Sequence, residues 1–355
     1  MTILSDRFRG LRKIPHIPLA ELPTAVEPLE RLSQRAGAEI WIKHDDRTSP
    51  RYGGNKVRKL EYVLGEVRKS EADTIVTAGA AGSHHVVACG LFGAEQGLKV
   101  HAVMTPQRFT SHVEENLRAS LALGVEVHPA PSAPRALATL ARVTASLRLR
   151  GRRPFVVPPG GSDLAGIVGY VEAGIELARQ LEAGVCPEPD AICVALGSGG
   201  TAAGLAVGLA ATGVTARVVG VRVVPALFTR RARVMRMIDR TVAHLRQLDE
   251  RFPEVASIAR GLLEIDAGEL GDGYGEPTAG AENASRLMRE LGGPALDGTY
   301  TAKAFAGLLR HASGERRGQR MLFIHTLSSA PLGPLVGERP PPLPGGLQSL
   351  LRRPS

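Results

Sequence analysis

The sequence is poor in cysteine, in aromatic residues and in long apolar runs. Its three cysteines form no CxxC pair, which excludes a disulfide-stapled module and a thiolate zinc site. Only 4% of the 355 residues are aromatic, and no RNP, zinc-finger or basic-zipper pattern accompanies the arginines at 230–236, so we expect no nucleic-acid partner. The N-terminus lacks the apolar core of a signal peptide and no segment is apolar enough to span a membrane. We therefore expect a cytoplasmic protein without a membrane partner.

What the sequence does contain is a regular alternation of short apolar runs and longer helical segments. The expected strands are AEIWIKHD (38–45), DTIVTAG (73–79), KVHAVMT (99–105), FVVPPGG (155–161), AICVALG (191–197) and ARVVGVRVV (216–224). Strands that are continuously apolar, each followed by an amphipathic helix, are typical of parallel sheets covered on both faces. The pattern predicts a doubly wound α/β fold.

The segment GSGGTAAGL (197–205) follows one of these strands and opens a helix of small residues. Glycines that allow close approach, two hydroxyls and a helix N-terminus together favour an anion. It is neither a Walker A loop nor GxGxxG, and arginines stand where a dinucleotide site would place an acidic residue. A single phosphate fits better, and a simple strand-to-helix turn is the alternative. The predicted phosphate-binding residues are Gly197, Ser198, Gly199, Gly200 and Thr201.

The segment GGNKVRKLEY (53–62) also opens a helix after a strand. Lys56 and Lys59 are three residues apart, so they share a helix face near its N-terminus. Two nearby positive charges and the helix dipole favour the neutral amine that Schiff-base chemistry requires. Solvated lysines are the simpler interpretation of this segment alone, but a phosphate site together with such a lysine indicates pyridoxal 5′-phosphate.

Two further groups of residues can reach a ligand. Ser83, His84 and His85 lie at another strand-to-helix junction, which offers amides and a hydroxyl to a carboxylate. Their spacing is neither that of a nucleophile elbow nor that of a zinc helix, and we expect no metal site. Tyr274 and Tyr300 lie in glycine-rich or loop-like contexts where a phenol can contact a ligand.

Taken in order, these motifs resemble those of the fold type II pyridoxal phosphate enzymes of the 1-aminocyclopropane-1-carboxylate deaminase and D-cysteine desulfhydrase family. The resemblance covers about residues 10–326 and includes IWIKHDD, GGNKVRKLEY, GGSDLAGIVGYVEA, GSGGTAAGL, LDGTYTAKAFAGL and FIHT. It implies a homodimer in which each chain has two open, twisted, parallel-sheet α/β domains. The larger, cofactor-binding domain would comprise residues 1–53 and 165–330, the smaller, inserted one residues 54–164, and a Pro/Gly-rich tail residues 331–355.

The resemblance also assigns roles to the residues. Lys56 would hold the cofactor covalently and act as the base, while Lys59 and the loop at 197–201 would bind its phosphate. Ser83 would bind the substrate carboxylate or relay protons, and Tyr274 and Tyr300 would flank the reacting carbon. The remaining assignments are His84 as partner of the cofactor ring oxygen, Thr301 as partner of its ring nitrogen, and His84, His85 and Tyr274 as further substrate contacts.

Thr301 bears on the reaction. In this family the ring-opening deaminases carry Glu at that position, and desulfhydrase-like members carry Thr. A hydroxyl keeps the ring nitrogen protonated less well than a carboxyl, which favours α,β-elimination of a small amino acid, giving a 2-oxo acid and ammonia, over cyclopropane opening. The alternatives that stay open are the cyclopropane deaminase, a biosynthetic β-replacement enzyme and a non-catalytic cofactor-binding homologue.

The chain departs from the family pattern at residues expected to face the substrate. His84 replaces an Asn, Val87 an Arg and Asp163 an Asn, while Leu327 and Ser328 replace a Gly-Gly pair. A small amino acid other than D-cysteine therefore stays open as the substrate.

Overall fold

The computed structural model describes residues 2–337 and 342–352, and these fall into two compact units. Unit 1 comprises Met1–Ile14, Leu19–Lys59 and Leu164–Ala330, and unit 2 comprises Pro15–Pro18, Leu60–Asp163 and Pro331–Ser355. Part of the predicted tail, residues 338–341 and 353–355, lies outside the described residues. The domain boundaries inferred from the resemblance remain our proposal.

The helices and strands follow the alternation seen in the sequence. The strands are β1 (Val26–Pro28), β2 (Glu39–Lys43), β3 (Thr74–Ala80), β4 (Lys99–Thr105), β5 (Gln107–Arg108), β6 (Glu126–Pro129), β7 (Pro154–Val156), β8 (Ala191–Leu196), β9 (Arg217–Arg222), β10 (Leu263–Asp266), β11 (Arg320–Ile324) and β12 (Leu351–Arg352). The α-helices are α1 (Ile3–Arg7), α2 (Glu30–Ala36), α3 (Asn55–Lys69), α4 (His84–Glu95), α5 (Ser111–Ala122), α6 (Ala133–Leu149), α7 (Leu164–Glu182), α8 (Gly200–Ala210), α9 (Arg231–Leu248), α10 (Ala256–Leu262), α11 (Ala279–Glu290), α12 (Thr301–Ser313) and α13 (Gly333–Val336). Each of the six strands expected from the sequence is present, which confirms the α/β class.

Unit 1 is built on a six-stranded sheet with the order β1-β2-β11-β8-β9-β10. Five strands are parallel, as expected, and the short edge strand β1, which the sequence pattern did not predict, runs antiparallel to β2. Only the short α2 connects β1 to β2, and a parallel pair needs a longer crossover. The carboxyl ends of the parallel strands meet at one edge of the sheet, where ligands bind in such folds.

Unit 2 has a four-stranded parallel sheet with the order β6-β4-β3-β7 and a separate short pair, β12 with β5. Helix α6 packs on one face of this sheet through Val143 and Leu147 against Val76, and through Ala136 near Val103. The loops after β3 and β4 lead into α4 and α5, so the residues that open these two helices lie at the same edge of the sheet.

Helices α7 and α8 of unit 1 pack through glycines. A Cβ on Gly204 would lie 2.5 Å from the carbonyl oxygen of Ile167, and one on Gly208 would lie 2.2 Å from that of Val171. Both distances are far below van der Waals contact, so only glycine permits this close approach. The contact fixes α8, and with it the loop that follows β8.

Most of the remaining interior of unit 1 around its sheet is apolar. In unit 1, side chains of β2, β8, β9 and β11 pack with those of α11 and α12, including Ile40, Val219, Phe305 and Phe323. The three cysteines are buried and form no disulfide among the described residues. Within the described residues, no helix combines the length and apolar character needed to cross a membrane.

Candidate active site

Lys56 lies on the first turn of α3 in unit 1, half-buried, and its amine is held by its neighbour. Lys56 Nζ donates to Asn55 Oδ1 at 2.6 Å, and Asn55 Nδ2 donates to Thr201 Oγ1 at 3.1 Å. The candidate Schiff-base amine is therefore joined, through one side chain, to the predicted phosphate loop. Sequence reasoning missed Asn55, although its position directly before Lys56 was the available signal.

The predicted phosphate loop connects β8 to α8. Gly199 is the N-cap of α8 with φ +96°, a left-handed conformation that favours glycine, and it offers no capping side chain. The first backbone N–H groups of a helix have no intrahelical acceptor, and together with the helix dipole they favour an anion. This terminus thus fits the phosphate of pyridoxal phosphate, and Lys56 remains the predicted source of the amine.

Tyr300 lies against this loop. A Cβ on Gly197 would be 3.2 Å from Tyr300 Cε1, so the ring fills the space that a larger residue would need. The hydroxyl oxygens of Tyr274 and Tyr300 are 2.6 Å apart, which makes the two phenols share a hydrogen bond. Loss of hydration raises the pKa of Tyr274 to about 12 and raises that of Tyr300 further above its ordinary value. Both phenols are therefore neutral at neutral pH, and each hydroxyl can donate a hydrogen bond.

Asp297 fixes the start of α12, which carries Tyr300 and Thr301. Its carboxylate accepts hydrogen bonds from the backbone N–H groups of Tyr300 and Thr301 at 2.8 and 2.9 Å. Thr301 is buried, and its hydroxyl donates to Asp297 Oδ1 at 2.6 Å while accepting from Asp297 N at 2.8 Å. Its contact with the cofactor ring nitrogen stays a prediction, and donation to that nitrogen would require the hydroxyl proton to leave Asp297.

The turn before Lys56 is held by the loop that follows β11. Gly53 N donates to Ser328 Oγ at 2.9 Å, and Asn55 N donates to Thr326 O at 3.2 Å. Gly54 has φ +89°, and a Cβ there would lie 2.7 Å from Thr326 O. Ser328, one of the residues that depart from the family pattern, therefore supports the backbone that presents Lys56.

Beneath α3 lies a buried ionic network that sequence reasoning did not predict. Arg58 donates to Asp45 and Glu176 at 2.8 and 2.9 Å, and Lys43 donates to Glu176 at 2.6 Å. Tyr170 OH also donates to Asp45, at 2.7 Å. Burial raises the pKa of Glu176, but the charges of Arg58 and Lys43 outweigh it and lower the pKa to about 2. The network fixes the first turns of α3, where Lys59 is also buried.

In unit 2, Ser83 is the N-cap of α4, and its hydroxyl accepts from Val86 N at 3.4 Å. His84 Nε2 lies 2.9 Å from His112 Nε2, so one imidazole donates to the other. Asn116 Nδ2 donates to Gly82 O at 3.0 Å and lies beside both rings. The cofactor and substrate contacts expected of Ser83 and His84 remain predictions.

His85 points into the interior of unit 2 and is buried. Its Nε2 lies 3.0 Å from the Thr77 hydroxyl, which itself donates to Val157 O at 2.8 Å. Because the Thr77 proton is committed to that carbonyl, His85 Nε2 carries a proton and donates it to Thr77. The substrate contact expected of His85 likewise remains a prediction.

Comparison with known proteins identifies similar chains. The family model described as "Pyridoxal-phosphate dependent enzyme" matches residues 17–326. The chain is 34% identical over 324 residues to a Pyrococcus horikoshii protein named provisionally as a 1-aminocyclopropane-1-carboxylate deaminase, covering 90% of this chain and 93% of that protein. It is also 34% identical over 327 residues to a D-cysteine desulfhydrase of Klebsiella pneumoniae strain 342, covering 90% and 95%. The solved structure of an ACC deaminase homologue aligns with TM-score 0.76 and 32% identity over 90% of this chain and 93% of that one.

Proposed function

The chain belongs to the pyridoxal-phosphate dependent enzymes, with fold type II, and we propose that it catalyses α,β-elimination from a small amino acid. The substrate would carry a leaving group on its β-carbon, and with one water consumed the products would be a 2-oxo acid, ammonia and the protonated leaving group. The observation that carries this proposal is the chain of hydrogen bonds from Lys56 through Asn55 to Thr201.

The proposed roles of the individual residues rest on the resemblance, and that geometry supports them. Lys56 would hold the cofactor covalently and, when released, take the α-proton of the substrate. The N-terminus of α8 and Lys59 would bind the phosphate. When bound, pyridoxal phosphate accepts the negative charge that develops at the α-carbon. Tyr274 and Tyr300, both protonated at neutral pH, would donate a proton to the departing group.

Thr301 supports elimination over cyclopropane opening. Its side chain is neutral and 1% exposed, and its proton is donated to Asp297. A neutral hydroxyl in that arrangement does not keep the ring nitrogen of the cofactor protonated. The cofactor ring would therefore withdraw electrons from the substrate only moderately. Expulsion of a β-substituent needs less electron withdrawal than opening a cyclopropane ring. The ring-opening deaminase is the second candidate, supported by the similarity to the ACC deaminase homologue.

The test is release of 2-oxo acid by the cofactor-loaded enzyme. The substrates would be D- and L-cysteine, β-chloroalanine of both configurations, D-serine, cysteate and 1-aminocyclopropane-1-carboxylate. We expect pyruvate from at least one β-substituted amino acid, with Lys56→Ala inactive and lacking the visible absorbance of bound cofactor. Lys13→Ala, which removes an exposed lysine, is the matched control and retains both.

Other outcomes would point elsewhere. Release of 2-oxobutanoate from 1-aminocyclopropane-1-carboxylate, without pyruvate from the other substrates, would favour the ring-opening deaminase. Formation of a new amino acid only when a second nucleophile is added would indicate β-replacement. Full visible absorbance with no product from any substrate would refute elimination and favour a non-catalytic cofactor-binding protein. The homodimer, supported by the resemblance, and the cytoplasmic location, expected from the sequence, are further parts of the proposal, and light scattering would test the dimer.

A further inference from the structure

A buried cluster of two histidines and one aspartate lies where β2 and β11 of unit 1 end. His44, Asp46 and His325 are 2%, 1% and 1% exposed, so water cannot solvate their polar atoms. Both imidazole Nδ1 atoms approach the same carboxylate oxygen. Asp46 Oδ1 lies 2.9 Å from His44 Nδ1 and 3.1 Å from His325 Nδ1. We call these three residues the His/Asp/His cluster.

The partner of His325 Nε2 determines which nitrogen of this ring carries the proton. His325 Nε2 lies 3.0 Å from Ala295 O, and a carbonyl oxygen only accepts, so Nε2 is the protonated nitrogen. In a neutral imidazole, Nδ1 then carries a lone pair instead of a proton, and this lone pair is directed toward the anionic carboxylate of Asp46. This Nδ1 has no hydrogen-bond partner among the described residues. A buried acceptor beside another acceptor is unfavourable unless a positive charge lies between them.

The surroundings of His44 also contain more hydrogen-bond acceptors than a neutral imidazole can satisfy. It lies between two carboxylates, with Nε2 3.2 Å from Glu27 Oε2 and Nδ1 2.9 Å from Asp46 Oδ1. A neutral imidazole has one N–H and can satisfy only one of them. Asp46 Oδ2 is also buried without a hydrogen-bond partner in the described structure. Arg47 Nε is 3.7 Å from that oxygen, but the Arg47 side chain is 57% exposed and can turn to solvent.

We propose that the His/Asp/His cluster binds one divalent transition-metal ion of the zinc class, through His44 Nδ1, His325 Nδ1 and the Asp46 carboxylate. Zinc binds such ligands at about 2.0–2.2 Å, so tetrahedral ligands lie about 3.3 Å apart, close to the two distances here. The three ligand atoms all lie within 4.8 Å of one another. Acceptors on the other ring nitrogens, Glu27 and Ala295 O, are what oriented metal-binding histidines usually have.

The ion would have a structural role. Asp46 O accepts from Ser329 N at 3.1 Å and from Ser329 Oγ at 3.1 Å. Ser328, the preceding residue, accepts from Gly53 N. Joining β2 to the loop after β11 would therefore stabilise the turn that presents Lys56. Spacing along the chain could not indicate such a site, because His325 lies far from His44 and Asp46 in sequence.

The site can be tested by metal binding to the untagged enzyme, loaded with cofactor and freed of excess cofactor and metal by dialysis against a chelator. Co²⁺ is the probe, because tetrahedral Co²⁺ has visible d–d absorption, and bound metal is measured by mass spectrometry. We expect about one Co²⁺ per chain. His325→Gln and Asp46→Asn should lose it. The glutamine amide can still donate to Ala295 O, which limits structural damage.

The matched control is His128→Gln, in a second group of candidate ligands formed by His101, Glu126 and His128 in unit 2. It should bind Co²⁺ like the unmodified enzyme. The proposal is overturned if the unmodified enzyme binds no stoichiometric metal, which would leave protonated imidazoles as the source of charge. It is also overturned if His325→Gln and Asp46→Asn still bind, or if only His128→Gln fails. Should those two variants not fold, a metal-dependent rise of Tm in the unmodified enzyme decides: no rise refutes the site.

Discussion

Replacement of Glu176 by glutamine tests the buried network beneath α3. Glu176 receives hydrogen bonds from Lys43 at 2.6 Å and from Arg58 at 2.9 Å. The side chains of Lys43 and Arg58 are 2% and 1% exposed. Glutamine keeps the shape of the residue but removes its charge. Two cations then share one remaining carboxylate, that of Asp45, in an interior that water does not reach.

Two routes give the expected magnitude. Removing one partner from a buried ion pair costs about 3–5 kcal/mol, because the other charge stays buried without compensation. The pKa of Glu176 is lowered from 4.5 to about 2, which by linkage corresponds to about 3 kcal/mol at neutral pH. A carboxyl whose pKa is lower in the folded state stabilises the protein above pH 4.5. This contribution is lost as the pH falls from about 4.5 toward about 2.

The assay is equilibrium unfolding in urea, followed by the fluorescence of Trp41. This is the only tryptophan in the chain, and it lies on β2 two residues before Lys43, so it reports on unit 1. At neutral pH we expect the midpoint to fall by about 1 M for a slope of about 3 kcal/mol/M. The control is Glu182→Gln, at an exposed position of the same helix, α7, with an expected change below about 0.5 kcal/mol.

The pH dependence makes the test specific. Because glutamine does not titrate, the difference between Glu176→Gln and the unmodified protein should shrink by more than half at about pH 3. A loss of unfolding free energy below about 1 kcal/mol at neutral pH would refute the argument that the charge of Glu176 compensates the buried charges of Lys43 and Arg58. So would a large loss that stayed the same down to pH 3, since that would indicate a packing defect.

Three further predictions concern the site and the fold. Asn55→Ala should weaken cofactor binding about tenfold by releasing Lys56, measured by spectrophotometric titration, whereas Asn283→Ala, at an exposed asparagine of α11, should leave binding unchanged. Tyr274 should ionise at about pH 12, and the pKa values of Tyr52, Tyr170 and Tyr300 are raised as well, so ultraviolet difference titration should show at least four phenols fewer ionising near pH 10 in the folded enzyme than after unfolding. An absorbance change near pH 10 that is present in the unmodified enzyme and absent from Tyr274→Phe would contradict the raised pKa of Tyr274. Gly169→Ala places a Cβ 2.1 Å from Arg58 O and should lower Tm through a loss of about 1–3 kcal/mol, and an unchanged Tm would count against the close approach.

Much of the fold was accessible from the sequence because local patterns determine it. The apolar runs that became β3, β4 and β8 are bounded by turn residues, and each is followed by a helix where the pattern changes period. The antiparallel β1 was not predicted, since a strand of three residues carries almost no periodicity and its direction depends on the length of the connection to β2.

The site was predicted in part. Lys56, Gly197 and Tyr300 stand in motifs whose composition already limits their chemistry, and the structure places all three in unit 1. The link through Asn55 to Thr201 joins residues far apart in sequence, so only the folded chain reveals it. The role of Glu176 was not predicted for a related reason. In the sequence of the apolar helix α7, a single glutamate resembles an ordinary solvent-facing acid, and its two cationic partners lie on elements that are distant along the chain.

The glycine contact between α7 and α8 restricts how this enzyme can diverge. A side chain at Gly204 or Gly208 would push α8 away from α7 and displace the loop after β8, so selection for a new substrate cannot work through that helix. Obstruction is smaller around Tyr274, where a Cβ on Gly273 would meet no atom nearer than 3.9 Å. A library for altered substrate choice should randomise residues 272–276 and leave residues 197–208 unchanged.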